Sequence, residues 1–92
     1  MTTTNLIRQK LTDALQPKVL EIIDQSAAHA GHAGARQGGG HYYVTIVSDH
    51  FDQLSLLKRH QLVYQTLGEL MQHEIHALSI NALTPSENST GN

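Results

Sequence analysis

The segment His41 to Val47, His-Tyr-Tyr-Val-Thr-Ile-Val, is aromatic and β-branched along its length and exits through Ser48-Asp49, the make-up of a well-buried strand. A strand cannot stand alone: it needs neighbours to hydrogen-bond with and a second layer over at least one face. The rest of the chain supplies both. Val19 to Asp24, Val-Leu-Glu-Ile-Ile-Asp, is short, rich in β-branched residues and follows Pro17, so a strand suits it better than a second helix. Ile75 to Asn81, Ile-His-Ala-Leu-Ser-Ile-Asn, reads as a third strand. Helical spacing marks the cover. Ile7, Leu11, Ala14 and Leu15 lie on one face between Leu6 and Leu15, with Thr4 or Asn5 as N-cap and Pro17 as the stop. Ser55 caps a longer helix to about Gln72, whose stripe is Leu56, His60, Val63, Leu67, Leu70 and Met71.

The order of these elements predicts an α+β fold, αββαβ. The first two strands form an antiparallel hairpin across a long loop, Gln25 to Gly40, which is small, polar and glycine-rich and reads as mobile. A strand, helix, strand connection then places the third strand parallel to the second. The expectation is a mixed three-stranded sheet with helices on one face, one domain over residues 1–85, and a polar, disordered tail over 86–92. No internal repeat or second domain is visible in the 92 residues.

Composition removes several function classes. Six Lys and Arg against eight Asp and Glu leave a formal charge of −2, with no polybasic footprint for a nucleic-acid backbone or an anionic membrane. Cysteine is absent, so disulfides, a thiol nucleophile and thiolate ligands from this chain are ruled out, and any metal is held by nitrogen or oxygen. No apolar run reaches the roughly 20 residues that cross a bilayer. Met1-Thr2-Thr3-Thr4-Asn5 does not follow the pattern of a secretory leader, and the expectation is a cytoplasmic protein that is a monomer when free. Neither a Gly-x-Ser-x-Gly elbow nor a paired-carboxylate pattern is present, so nothing points to an enzyme. Gly38-Gly39-Gly40 leads into a strand rather than a helix N-terminus and reads as flexibility, not as a phosphate cradle. Lys58-Arg59, with Arg8, Lys10, Lys18 and Arg36, reads as scattered solvated charge.

The seven histidines are the compositional anomaly. Imidazole ligates metal through one ring nitrogen while the other donates to a neighbour. His29 and His32 lie in the repeat His29-Ala30-Gly31-His32-Ala33-Gly34 of the loop, His41 opens the second strand, and His76 lies near the start of the third. Parallel strands begin at the same end of a sheet. The long loop ends there too, so His76, His41, His32 and His29 can converge. Each has a plainer reading: His29 and His32 as solvated loop filler, and His76 as a rim residue capping the core, because it shares strand parity with Leu78 and Ile80. His60, inside the apolar stripe, reads as a packed structural residue, and His50 and His73 as solvent-facing.

Several strings together resemble one family. Ile7-Arg8-Gln9-Lys10-Leu11, Leu20-Glu21-Ile22-Ile23-Asp24-Gln25-Ser26, the His29 to Gly34 repeat, Val47-Ser48-Asp49-His50-Phe51, Arg59-His60-Gln61-Leu62-Val63 and Ile75-His76-Ala77-Leu78-Ser79-Ile80 follow the BolA-like pattern in order and spacing, from about Leu6 to Pro85. Asp52-Gln53 after Phe51, and Ser86-Glu87-Asn88 after Thr84-Pro85, depart from it. The resemblance implies a fold related to the class II KH domain. It also implies a heterodimeric partnership with a monothiol glutaredoxin in iron-sulfur trafficking or iron and redox regulation. In such an assembly a glutaredoxin cysteine and a glutathione thiolate hold a 2Fe-2S cluster from one side. The BolA-like partner adds its third-strand histidine, here His76, and a second ligand from the loop after the first strand. With no cysteine in the chain, the resemblance leaves His41, His32 or His29 for that role. His41 is preferred, because strand pairing already orders it. Imidazole ligation raises a cluster's reduction potential and makes it sensitive to protonation near a histidine pKa of about 6.5. With at most two ligands, the chain is expected not to hold a cluster firmly by itself.

The competing reading is a nucleic-acid-binding transcriptional regulator, since some bacterial members of the family are regarded as such. A KH-type clamp uses a Gly-x-x-Gly loop, however, and Phe51 to Ser55 contains no glycine. The net charge also predicts weak, salt-sensitive DNA binding. A third reading, an adaptor that binds its partner without metal, predicts dispensable histidines.

Overall fold

The computed structural model describes residues 2–25 and 40–90. Helix α1 spans Thr3–Leu15. It begins a turn earlier than Leu6 because the Thr2 hydroxyl accepts a hydrogen bond from the Asn5 N–H at 3.1 Å and caps the first turn. Ile7, Leu11 and Leu15 recur every four residues and are buried. The helix closes at Gln16, whose left-handed backbone (φ 47°) lets its N–H reach the Thr12 carbonyl before Pro17 prevents another turn.

Strands β1 (Val19–Asp24) and β2 (Gly40–Val47) pair antiparallel, from Val19 opposite Val47 to Asp24 opposite Tyr42. Strand β3 (Ile75–Leu83) runs two residues beyond the Asn81 expected as its end and lies parallel to β2, giving the sheet order β1-β2-β3. The αββαβ order and the mixed sheet expected from the sequence are both present. β2 is central, so its alternate side chains Tyr42, Val44 and Ile46 pass into the core beside Ile7, Leu11, Leu15, Val63 and Leu67. His41, Tyr43 and Thr45 project to the opposite face.

After β2 a short turn, Asp49–Phe51, drops Phe51 into the core with no exposed surface. Helix α2 covers Leu56–Leu67, capped by the Ser55 hydroxyl, which accepts from the Lys58 N–H. The expected single helix to Gln72 is instead two. Gly68 takes φ 54° and ends α2, and a separate turn, α3, spans Leu70–His73. The buried stripe of α2 is Arg59, Val63 and Leu67, while Leu56, expected on it, is 66% exposed.

Arg59 therefore overturns its reading as solvated charge. Its Nε donates to the Leu54 carbonyl and one terminal nitrogen to the Ala82 carbonyl, and the two terminal nitrogens grip the Glu87 carboxylate at 2.7 and 3.0 Å. Glu87 belongs to α4 (Pro85–Thr90), so the tail expected to be disordered from Ser86 is helical at its start. The cause is local as well as tertiary. Thr84 and Glu87 form a reciprocal cap: the Glu87 N–H donates to the Thr84 hydroxyl and the Thr84 N–H to the Glu87 carboxylate, with Pro85 at the first helical position. Glu87 is held down to a pKa of about 2, first by the Arg59 hydrogen bond and then by the Thr84 N–H.

Candidate functional site

β2 and β3 start at the same end of the sheet, and their pairing is irregular there. Gly40 stands opposite Ile75, but the next β2 residue, His41, stands opposite Ala77. One extra residue is thereby inserted into β3, and that residue is His76. An inserted residue breaks strand alternation and re-aims a side chain. Before the irregularity the odd-numbered Ile75 is buried; after it the even-numbered Leu78, Ile80 and Ala82 pack on the core. His76 thus does not share the facing of Leu78 and Ile80 or cap the core, as its parity predicts. It is exposed, and its ring lies beside that of His41, with centroids 5.1 Å apart and planes tilted by 40°.

The two partners are held differently. His41 is half-buried on the central strand, and its own carbonyl accepts from the Gln25 N–H at 2.7 Å while the Gly40 N–H donates to the Glu74 carbonyl at 2.9 Å. Backbone bonds on both sides therefore fix where His41 sits. Among the described residues no third His, Asp or Glu joins the pair in a metal-holding group. His29 and His32, the other two candidates, lie outside the described residues. His50 and His73 are exposed, and His60 is half-buried on α2. Among the described residues none of the three belongs to a group of three or more metal-ligating side chains. The bulge was missed at sequence level, although it left a trace: Ile75 and Leu78 are three residues apart and cannot share one face of a regular strand.

The profile of a family described as BolA-like protein matches residues 11–87. The chain belongs to the BolA-like family. It is 46% identical over 86 residues to SufE-like protein 1, chloroplastic/mitochondrial, of Arabidopsis thaliana, covering 88% of this chain and 23% of that protein. It is 43% identical over 81 residues to BolA-like protein 1 of Mus musculus, covering 88% of this chain and 57% of that one. The chain thus spans about half or less of the length of these relatives. Against the DNA-binding transcriptional regulator BolA of Escherichia coli it is 38% identical, covering 88% of this chain and 74% of that protein. Among solved structures, BolA1 from Arabidopsis thaliana superposes with a TM-score of 0.80 at 40% identity, over 95% of this chain and 96% of that one.

Within this BolA-like fold the histidine pair suits joint ligation of one metal atom. Metal to imidazole-nitrogen bonds of ~2.0–2.1 Å at a near-tetrahedral angle put the centroids of two imidazoles about 5 Å apart, as they are between His41 and His76. The planes are tilted by 40° and not stacked face to face. The donor set is nitrogen only, which matches a metal atom whose remaining ligands come from elsewhere. No helix among the described residues is long and apolar enough to cross a membrane.

Proposed function

We propose that this BolA-like chain is a non-enzymatic partner of a monothiol glutaredoxin, sharing a 2Fe-2S cluster to which it contributes His76 and His41. The observation that carries the reading is the 5.1 Å separation of these two rings at one end of the sheet. The imidazole pair would serve one iron, and the thiolates for the other iron would come from the partner and glutathione, because this chain has no cysteine. Replacing thiolate by imidazole raises the cluster's potential, which suits trafficking or sensing better than permanent storage. His41 takes precedence because β2 pairing orders it and sets its ring 5.1 Å from that of His76, so little conformational entropy is lost on ligation. A cytoplasmic setting belongs to the same proposal; SufE-like protein 1 is named for chloroplast and mitochondrion.

The test is a visible absorption and circular dichroism titration of this protein into cluster-loaded monothiol glutaredoxin. The expected result is a new mixed-ligand spectrum at one-to-one stoichiometry that His76→Ala abolishes and His41→Ala abolishes or strongly weakens. An unchanged spectrum with the unsubstituted chain defeats the reading. So does a stable, coloured cluster on the chain alone.

A DNA-binding role is the second reading, favoured by the names of the Escherichia coli and Vibrio cholerae relatives. The charge of −2 opposes it. The Lys58-Arg59 pair is also reduced, because the Arg59 guanidinium is committed to Glu87 and two carbonyls. Tight binding to duplex DNA at physiological salt with no glutaredoxin present would reverse the ranking.

A further inference from the structure

The geometry that suits one iron of a cluster is not specific to iron. Two neutral imidazoles about 5 Å apart, centroid to centroid, form a bidentate nitrogen chelate for any metal ion of similar size and borderline softness. We propose that, in the absence of a protein partner, the His41–His76 pair binds a single divalent cation of the zinc class, with water in the other coordination positions. Occupancy by such a cation and ligation of a cluster then exclude one another. The exclusion rests on the function proposed above; the cation site stands without it.

Three observations support the site. The ring centroids lie 5.1 Å apart with planes tilted by 40°, about the separation that two imidazoles have when both ligate one tetrahedral ion through their ring nitrogens, so chelation need not pull the strands apart. The inserted residue is His76 itself, and a bulge holds it beside β2 whether or not metal is present, which lowers the ordering cost of chelation. His76 is also exposed, leaving water access to complete the coordination shell. With no third carboxylate or imidazole among the described residues, the ion is exchangeable rather than structural. The all-nitrogen donor set selects against magnesium and calcium, which require oxygen ligands.

The experiment is a calorimetric titration of the full chain with Zn2+ alone, repeated with Mg2+. Proton NMR of the histidine ring resonances runs in parallel, and circular dichroism confirms that each variant folds. One Zn2+ is expected to bind per chain, with the His41 and His76 resonances moving together. His41→Ala and His76→Ala should each weaken binding at least ~10-fold, since losing a direct ligand costs no less than losing an outer partner. Magnesium should give no heat. Zinc binding that survives either substitution, or that disappears only in a His29→Ala/His32→Ala double variant, overturns the site. A second arm adds cluster-loaded glutaredoxin to the zinc-saturated chain. Suppression of the mixed-ligand spectrum is expected. If zinc binds the pair and the spectrum still forms, the exclusion is refuted and the cluster's ligands lie elsewhere. If zinc does not bind but the spectrum forms, the cluster reading stands and the cation site falls.

Discussion

Ser48 joins three parts of the molecule through one hydroxyl. It is fully buried, donates to the Leu15 carbonyl at 2.7 Å and accepts from the His50 N–H at 3.1 Å. The first bond serves a carbonyl at the end of α1, a position where helices run out of internal donors. The second caps the turn that carries Phe51 inward. Ser48→Ala leaves the Leu15 carbonyl short of a partner away from water and removes the cap of the part-buried His50 N–H, and we expect a loss of about 1–3 kcal/mol, read from the denaturant midpoint. Gly68 is a different kind of constraint. A Cβ there would meet the Gln65 carbonyl only at an ordinary 3.7 Å, but φ is 54° with ψ −120°, a region closed to side-chain-bearing residues. Gly68→Ala should therefore cost about 1–3 kcal/mol through backbone strain rather than collision, and a larger side chain should add little to that. The same denaturant series with Gly68→Ser would check it.

The elements differ in how much of their placement is local. Strands β1 and β2 were legible from composition, because β-branched and aromatic runs bounded by proline, glycine and Ser-Asp have few other solutions. The start of α1 depended on which side-chain oxygen wins the capping role, and Thr2 does so ahead of Thr4 or Asn5, whereas α2 starts at the expected Ser55 cap and its end is set by Gly68. Two features required tertiary knowledge. The His76 insertion changes the facing of part of β3, and period-two counting continues unaware through a bulge. The C-terminal helix was hidden by its polarity, although Thr84-Pro85-Ser86-Glu87 carries a capping-box pattern with proline at the first helical position. What polarity could not disclose is the buried arginine that Glu87 serves. That clamp has a pH signature. Glu87's pKa falls from 4.5 to about 2 in the fold, so its contribution is present above pH 4.5 and is lost as pH falls toward 2. The thermal midpoint of the unsubstituted chain should drop through that window, and Glu87→Gln, already weaker at pH 7, should show a shallower fall. Arg59→Ala should be the more damaging change, because the Ala82 and Leu54 carbonyls also lose their donor; about 2–4 kcal/mol is the expected scale.

At the scale of the whole molecule the sheet separates two jobs. Its helix-facing side holds Tyr42, Val44 and Ile46, which pack with Phe51 and the stripes of α1 and α2, and its other side carries His41, Tyr43 and Thr45. The histidine pair lies at one end, with an exposed His76 and a half-buried His41, and neither residue belongs to the core cluster. Substitution at the site should therefore be nearly silent for folding. His76→Ala is expected to shift stability by less than about 0.5 kcal/mol, the usual range for a surface change, while abolishing the mixed-ligand spectrum. Phe51→Ala should behave in the opposite sense. It empties a fully buried position in the core of the described residues, at a cost of about 3–5 kcal/mol, a large share of the roughly 5–15 kcal/mol that holds a small domain together. Measured side by side by denaturant unfolding and by titration into cluster-loaded glutaredoxin, the two variants test whether ligation and folding are independent here. If His76→Ala unfolded the chain as Phe51→Ala does, the bulge would be a structural joint, and loss of cluster binding in that variant would no longer speak for ligation.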